Sequence, residues 1–206
     1  MPKVIVYIDG FNLYYGAVKG TPYMWLNLAQ LCRLMLPNDD IQSIKYFTAL
    51  VKGRPHDLTK PNRQLAYLRA LKTIPNITIF YGHFLTHPAK MVLTGNNPRK
   101  WVWVDKTEEK GSDVNLAAHL LSDGFKKLFD VAVLITNDSD LAEPVRMVRE
   151  DLKLPVGILN PHERHSVELK RLATFIKRIR QSDLSASQFP DVMTDNKGTF
   201  HKPSGW

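Results

Sequence analysis

Acidic residues stand at three places that an α/β fold would bring to one rim. Asp9 ends the apolar run Val4-Ile5-Val6-Tyr7-Ile8 and is followed by Gly10-Phe11-Asn12. Asp138 and Asp140 come just after a second apolar run, Val131–Thr136, in Asn137-Asp138-Ser139-Asp140-Leu141. Asp113 opens a helical segment in Glu108-Glu109-Lys110-Gly111-Ser112-Asp113-Val114. Open α/β sheets bind ligands beyond the carboxyl ends of their strands. If the strands ending near Asp9 and Asp138 are neighbours, Asp9, Asp138 and Asp140 converge, and a helix N-terminus brings Asp113 to them. Two carboxylates at ~4 Å repel by about 4 kcal/mol at an effective dielectric of 20. A divalent cation removes that cost, and hard oxygen donors with Asn12 as a neutral helper suit Mg²⁺ or Mn²⁺. Such a centre holds a phosphodiester oxygen, lowers the pKa of water and stabilises in-line displacement. Lys110 is placed to steady a phosphate or a developing negative charge.

Each piece also has a purely structural use. Asp138 and Asp140 can start a helix by satisfying free N–H groups, Asp113 can complement a helix dipole, and Asp9-Gly10 can be a turn. Their joint placement favours the metal centre. Rival chemistries fail on specific residues. An aspartyl-nucleophile phosphatase wants a second Asp two residues after the first, where this chain has Phe11. A P-loop and a Gly-x-Gly-x-x-Gly turn are both missing. No Cys/His spacing resembles a zinc site. His162 and His165 could cleave RNA without metal, but nothing in the sequence fixes their geometry.

Strand-like and helix-like segments alternate along the chain. Apolar, β-branched runs recur at Val4–Ile8, Ile41–Val51, Ile77–Phe84, Val131–Thr136 and Pro155–Leu159. Helical spacing links Leu26, Ala29, Leu34 and Leu36 before Pro37, and Leu58, Leu65, Leu68 and Leu71 before Pro75. A third stripe runs Val114, Ala117, Ala118, Leu121, Phe125 and Leu128, and a fourth runs from Ser166 through Val167, Leu169, Leu172, Phe175, Ile176 and Ile179. This order predicts a three-layer α/β/α fold with a mostly parallel central sheet. Met91-Val92-Leu93-Thr94 and Arg99–Val104, joined across Gly95-Asn96-Asn97-Pro98, predict a β-hairpin insertion around residues 90–104. One domain over residues 1–180 and a poorly ordered tail over 181–206 are expected, with Phe189, Phe200 and Trp206 able to dock the tail.

The 206 residues carry a formal charge of +8, and residues 1–180 hold an excess of +9 because 181–206 are slightly acidic. A basic domain of this size suits a polyanionic partner. No apolar run approaches the ~20 residues of a membrane span, and Asp9 comes too early for a secretory segment. The lone Cys32 forms no intrachain disulfide and reads as a small core residue. A reducing, cytoplasmic location is expected.

The three acidic motifs, Tyr7-Ile8-Asp9-Gly10-Phe11-Asn12-Leu13, Glu109-Lys110-Gly111-Ser112-Asp113-Val114 and Thr136-Asn137-Asp138-Ser139-Asp140-Leu141, resemble those of the NYN domain. That family belongs to the PIN-like nucleases, and the likeness, over residues 3–180, is nearest the LabA-like branch. The resemblance implies a metal-dependent ribonuclease in which Asp9, Asp113, Asp138 and Asp140 bind Mg²⁺ or Mn²⁺, with Asn12 and Lys110 in support. Members of the family often have an acid six residues after the Asp113 position, where this chain has His119. Six helical residues turn through about 600°, so His119 falls off the face of Asp113.

Two basic stretches flank the expected centre. One holds Lys52, Arg54, Lys60 and Arg63; the other is the hairpin, with Lys90, Arg99, Lys100, Trp101 and Trp103. Trp101 and Trp103 share one face of a strand and can stack on unpaired bases at ~1–3 kcal/mol per base. Lys52, Arg54, Arg99, Lys100, Trp101 and Trp103 are therefore the expected RNA contacts. The hairpin also offers a surface for a homodimer. The alternative to catalysis is an RNA-binding or protein-interaction module on the same fold.

Overall fold

The computed structural model describes residues 1–53, 57–95 and 97–206. Its centre is a seven-stranded sheet. The first strand, β1 (Lys3–Asp9), is an almost wholly buried apolar run and lies in the middle. It is followed by the short helix α1 (Gly10–Leu13), a π-helical turn over Tyr14–Val18, and α2 (Leu28–Met35), which is capped by the Asn27 side chain. Next come β2 (Asp40–Ala49), α3 (Lys60–Leu71), β3 (Ile77–Val92), β4 (Trp101–Lys110) and α4 (Ser112–Phe125). The second half runs β5 (Val131–Ile135), a 3-10 turn at Ser139–Leu141, α5 (Ala142–Arg146), β6 (Val156–Asn160), α6 (Val167–Leu172) and β7 (Phe175–Arg178). It closes with α7 (Gln181–Ser185) and the strands β8 (Val192–Asp195) and β9 (Gly198–His201).

Strand order is β4-β3-β2-β1-β5-β6-β7, with every pair parallel except β3–β4. From β1 the chain builds outward to β2 and β3, then returns to the other side of β1 to add β5 and β6. The carboxyl ends of β1 and β5 therefore border the place where the winding reverses, which is where α/β sheets take their ligands. Alternate residues of the strands feed two cores. Val4, Val6, Ile8 and Ile44 pack with α2, α3 and Trp25 on one face. Ile5, Tyr7 and Phe47 pack with Leu116 and Leu120 of α4, and with Val145 and Leu169, on the other. No helix among the described residues is long and apolar enough to cross a membrane.

The hairpin expected around 90–104 is present but is not a separate insertion. Its first strand is the outer half of β3, a 16-residue strand that pairs with β2 in parallel over Ile77–Gly82 and with β4 antiparallel over His83–Val92. The helix expected through Ile179 stops at Leu172. Ala173 turns extended, Thr174 donates its N–H to the Val156 carbonyl, and Phe175–Arg178 join the sheet beside β6. The spacing of Phe175, Ile176 and Ile179 fits a helix, but the open edge of β6 supplies partners that no local pattern announces.

On α4 the buried stripe is Leu116, Leu120, Asp123 and Gly124, whereas Val114 and Phe125 are 71% and 65% exposed. The expected stripe is rotated because it omits Asp123. That carboxylate is buried against the Tyr7 hydroxyl (2.7 Å) and the Lys45 ammonium (2.5 Å).

The C-terminal segment, expected as a tail, forms α7, β8 and β9. Phe189, Phe200 and Trp206 gather round the buried Trp25 ring, whose N–H donates to the Pro190 carbonyl at 2.9 Å. Arg69 of α3 clasps Asp195 through two hydrogen bonds and lies over the Phe200 ring. An aromatic anchor every ten residues or so gives a polar segment enough apolar contact to fold back onto the core.

Candidate metal centre

Asp9 is the last residue of β1 and the N-cap of α1. Its Oδ1 accepts the Asn12 N–H at 2.9 Å, and its Oδ2 accepts the Thr136 hydroxyl at 3.2 Å. Gly10 is required beside it: a Cβ there would meet the Phe47 carbonyl and the Tyr46 ring at 2.7 Å. Beyond β5, Thr136 Oγ1 accepts the Asp138 N–H, and Asp138 Oδ1 in turn accepts the Asp140 N–H. The Asn12 side-chain oxygen accepts the Asn137 N–H at 2.8 Å, which ties the ends of β1 and β5 together. Asp113 arrives from the first turn of α4. Glu109 holds that turn by accepting both the N–H and the hydroxyl of Ser112. Gly82 of β3 makes room for it, since a Cβ there would meet the Lys110 carbonyl at 2.6 Å and the Ser112 nitrogen at 3.0 Å.

Three of the four expected acids come together. Asp9, Asp113 and Asp138 each offer a carboxylate oxygen, and these oxygens lie within 4.8 Å of one another. Asp9 is buried and the other two are half-buried. Asp140 is exposed and stands outside the group, close enough to act on Asp113 through its charge. Asn12 is in place as a backbone clamp. The Lys110 ammonium is 3.3 Å from Glu108, and among the described residues that carboxylate is its ion-pair partner. His119 lies apart, its ring against Phe80 and its Nδ1 3.5 Å from the Lys45 ammonium.

The electrostatics of the group follow from this packing. Burial pushes the Asp9 carboxyl up to about 7, helped by the charges of Asp113 and Asp138 and opposed by the hydrogen bonds from Asn12 and Thr136. Asp113 is also raised, first by burial and then by the charges of Asp138, Glu109 and Asp140. Carboxylates forced together and partly dried favour either a proton or a cation. An all-oxygen set of three acids fits a hard divalent ion.

Sequence reasoning missed Thr136, which bridges Asp9 to Asp138, and Glu109, which anchors the start of α4. Thr136 stands two residues before Asp138, but a hydroxyl between two acids carries no spacing signal. Of the expected RNA contacts, Trp101 and Trp103 are 54% and 71% exposed on one face of β4, with the Lys90 ammonium 5.9 Å from the Trp101 ring. Lys52, Arg99 and Lys100 are exposed. Arg54 lies outside the described residues. Arg63 is turned onto Asp57 and, with Lys60, lines a cavity on the other face of the sheet.

A winding reversal carrying three buried or half-buried acids marks a candidate metal site on an α/β sheet. The profile of the NYN domain matches residues 3–183, and the chain belongs to that family. NYN domains are generally nucleases that act on RNA. A protein of Pseudomonas putida named 6-hydroxy-3-succinoylpyridine 3-monooxygenase HspA is 31% identical over 234 aligned positions, covering 98% of this chain and 74% of that protein. The crystal structure of a Vibrio parahaemolyticus protein of unknown function superposes with a TM-score of 0.56 at 15% identity, covering 91% of this chain and 96% of the other. That likeness establishes the fold alone.

Proposed function

We propose that the chain is a metal-dependent endoribonuclease that hydrolyses RNA phosphodiester bonds at the Asp9–Asp113–Asp138 cluster. The observation that carries the reading is the convergence of these three carboxylates within 4.8 Å at the reversal of the sheet. The three acids hold Mg²⁺ or Mn²⁺, with Asp140 adding negative charge at the rim. An ion held there would supply charge stabilisation for the phosphoryl group and would lower the pKa of water. Thr136 and Asn12 keep Asp9 in its rotamer and fix β1 against β5, so the ligand set is organised before substrate arrives. Trp101 and Trp103 stack on unpaired bases, and Lys52, Lys90, Arg99 and Lys100 follow the backbone. Water adds to phosphorus and gives up a proton, the bond to the 3′ oxygen breaks, and that oxygen takes up a proton. The products carry a 5′-phosphate and a 3′-hydroxyl.

End-labelled single-stranded RNA incubated with the protein in Mn²⁺, Mg²⁺ or EDTA, beside Asp138→Asn, tests this reading. Cleavage that needs metal, fails in Asp138→Asn and leaves 5′-phosphate ends is the expected result. A 2′,3′-cyclic phosphate or cleavage in EDTA refutes it. RNA bound without cleavage assigns the chain to the non-catalytic alternative. The Pseudomonas putida relative is named for oxygenation of a small hydroxypyridine. The same assay separates such a reaction from hydrolysis, because oxygenation leaves the labelled RNA intact.

A further inference from the structure

On the face of the sheet opposite α4, a cavity of about 620 Å³ lies between α1, the end of β2, α3 and residues 204–206. It abuts the acid cluster without including it: Gly10 and Phe11, which follow Asp9, line it, while Tyr46 belongs to the β2 face that packs with α2 and α3, and Asp9, Asp113 and Asp138 are not among its described walls. Its volume is that of a small-molecule site. Two features of the wall define what it would take.

The first is aromatic. Tyr14, Tyr15, Tyr46, Tyr67 and Trp206 line the space, with Leu13 and Met24 among the apolar positions. Several of these rings are fixed by other contacts. The Tyr67 hydroxyl donates to the Leu26 carbonyl at 2.9 Å, Tyr67 and Trp206 pack with centroids 6.0 Å apart, and Tyr14 meets Tyr15 edge-on at 5.1 Å. Rings held this way present flat or edge surfaces at little further entropic cost, which suits a planar aromatic guest. The second is charge. Among the described residues, Lys19, Lys60 and Arg63 line the cavity against one acid, Asp57. Arg63 is held in place by Asp57 (2.6 Å) and the Thr59 hydroxyl, so the described residues use two of its five N–H donors. A pre-oriented guanidinium with spare donors beside an aromatic wall recognises a ring that carries an anion.

We infer that this cavity is a binding site for a small planar aromatic anion, independent of the reaction carried out at the acid cluster. The chemistry is shared by aromatic carboxylates and by a purine nucleoside monophosphate, and the test separates them. Calorimetric titration of the full chain would use salicylate, indole-3-acetate, 1-naphthoate and adenosine 5′-monophosphate, each with Arg63→Gln, Tyr14→Ala and Asp138→Asn beside the parent. At least one probe is expected to bind below about 1 mM. Its affinity should fall by about tenfold in Arg63→Gln and in Tyr14→Ala and stay unchanged in Asp138→Asn. Melting temperatures of the variants check that each is folded. Binding by the carboxylates alone or by the monophosphate alone decides the source of the anion. Absence of binding by all four probes, affinity indifferent to Arg63 and Tyr14 in folded variants, or loss in Asp138→Asn overturns the inference.

Discussion

Replacing Asp9 by Asn should stabilise the metal-free protein, and only at the alkaline end. The Asp9 carboxyl titrates near 7 instead of 3.8, chiefly because it is buried. Between those values the folded chain holds a proton that the unfolded chain has released, so stability falls as pH rises through the window. At 1.36 kcal/mol per pH unit the whole window costs about 4 kcal/mol, of which about 3 kcal/mol falls between pH 5 and pH 8. Asn carries no charge and loses none of this. Its Oδ1 can still accept the Asn12 N–H, and its amide faces the Thr136 hydroxyl, a rearrangement costing about 1 kcal/mol. Urea unfolding in EDTA, followed by tryptophan fluorescence, should therefore show the two proteins near parity at pH 5. At pH 8 Asp9→Asn should be ahead by about 3 kcal/mol. Added Mn²⁺ should raise the parent at pH 8 and leave the variant unmoved. A variant less stable than the parent at pH 8 in EDTA, or a gap that does not change with pH, would refute the reasoning.

Lys45→Met should cost about 3–5 kcal/mol by stranding the buried Asp123 carboxylate, while Lys45→Met with Asp123→Leu recovers much of it; chemical denaturation measures both. Gly82→Ala should cost about 1–3 kcal/mol and weaken Mn²⁺ binding, because the added carbon pushes the Lys110 carbonyl and Ser112 away and shifts Asp113; unfolding and metal titration follow the two effects. Trp101→Ala and Trp103→Ala should each weaken single-stranded RNA binding by ~1–3 kcal/mol with no change in melting temperature, as read by fluorescence anisotropy. Deleting residues 189–206 should lower the melting temperature by several degrees at least, because Trp25 then loses Phe189, Phe200 and Trp206 together.

Much of the sheet was legible because its central strands are buried on both faces and read as unbroken apolar runs, Val4–Ile8 and Val131–Ile135 above all. The convergence of Asp9, Asp113 and Asp138 was legible for a related reason: each stands at the end of a strand or the start of a helix, and topology does the rest. What escaped depends on partners distant in the chain. Asp123 looks like a surface residue until Tyr7 and Lys45 are placed opposite it, 116 and 78 positions away. Phe175–Arg178 fit a helix by spacing and become a strand because β6 has a free edge. Asp140 shares the motif of Asp138, yet one further turn of chain carries it to the rim. Lys110 sits beside the helix start, and its ammonium pairs with Glu108 at 3.3 Å, a partner that no spacing rule announces.

The three acids enter the cluster from positions 9, 113 and 138, and two of them lie on either side of the pairing of β1 with β5. A chain emerging from the ribosome holds Asp9 without the other ligands until more than a hundred further residues have been made. The cluster closes only after Asp138 has cleared the exit tunnel and β5 has docked against a strand made more than a hundred residues earlier, the kind of non-local closure that folds late. Under the nuclease reading, the growing polypeptide is harmless to the message that encodes it until most of its domain has been built.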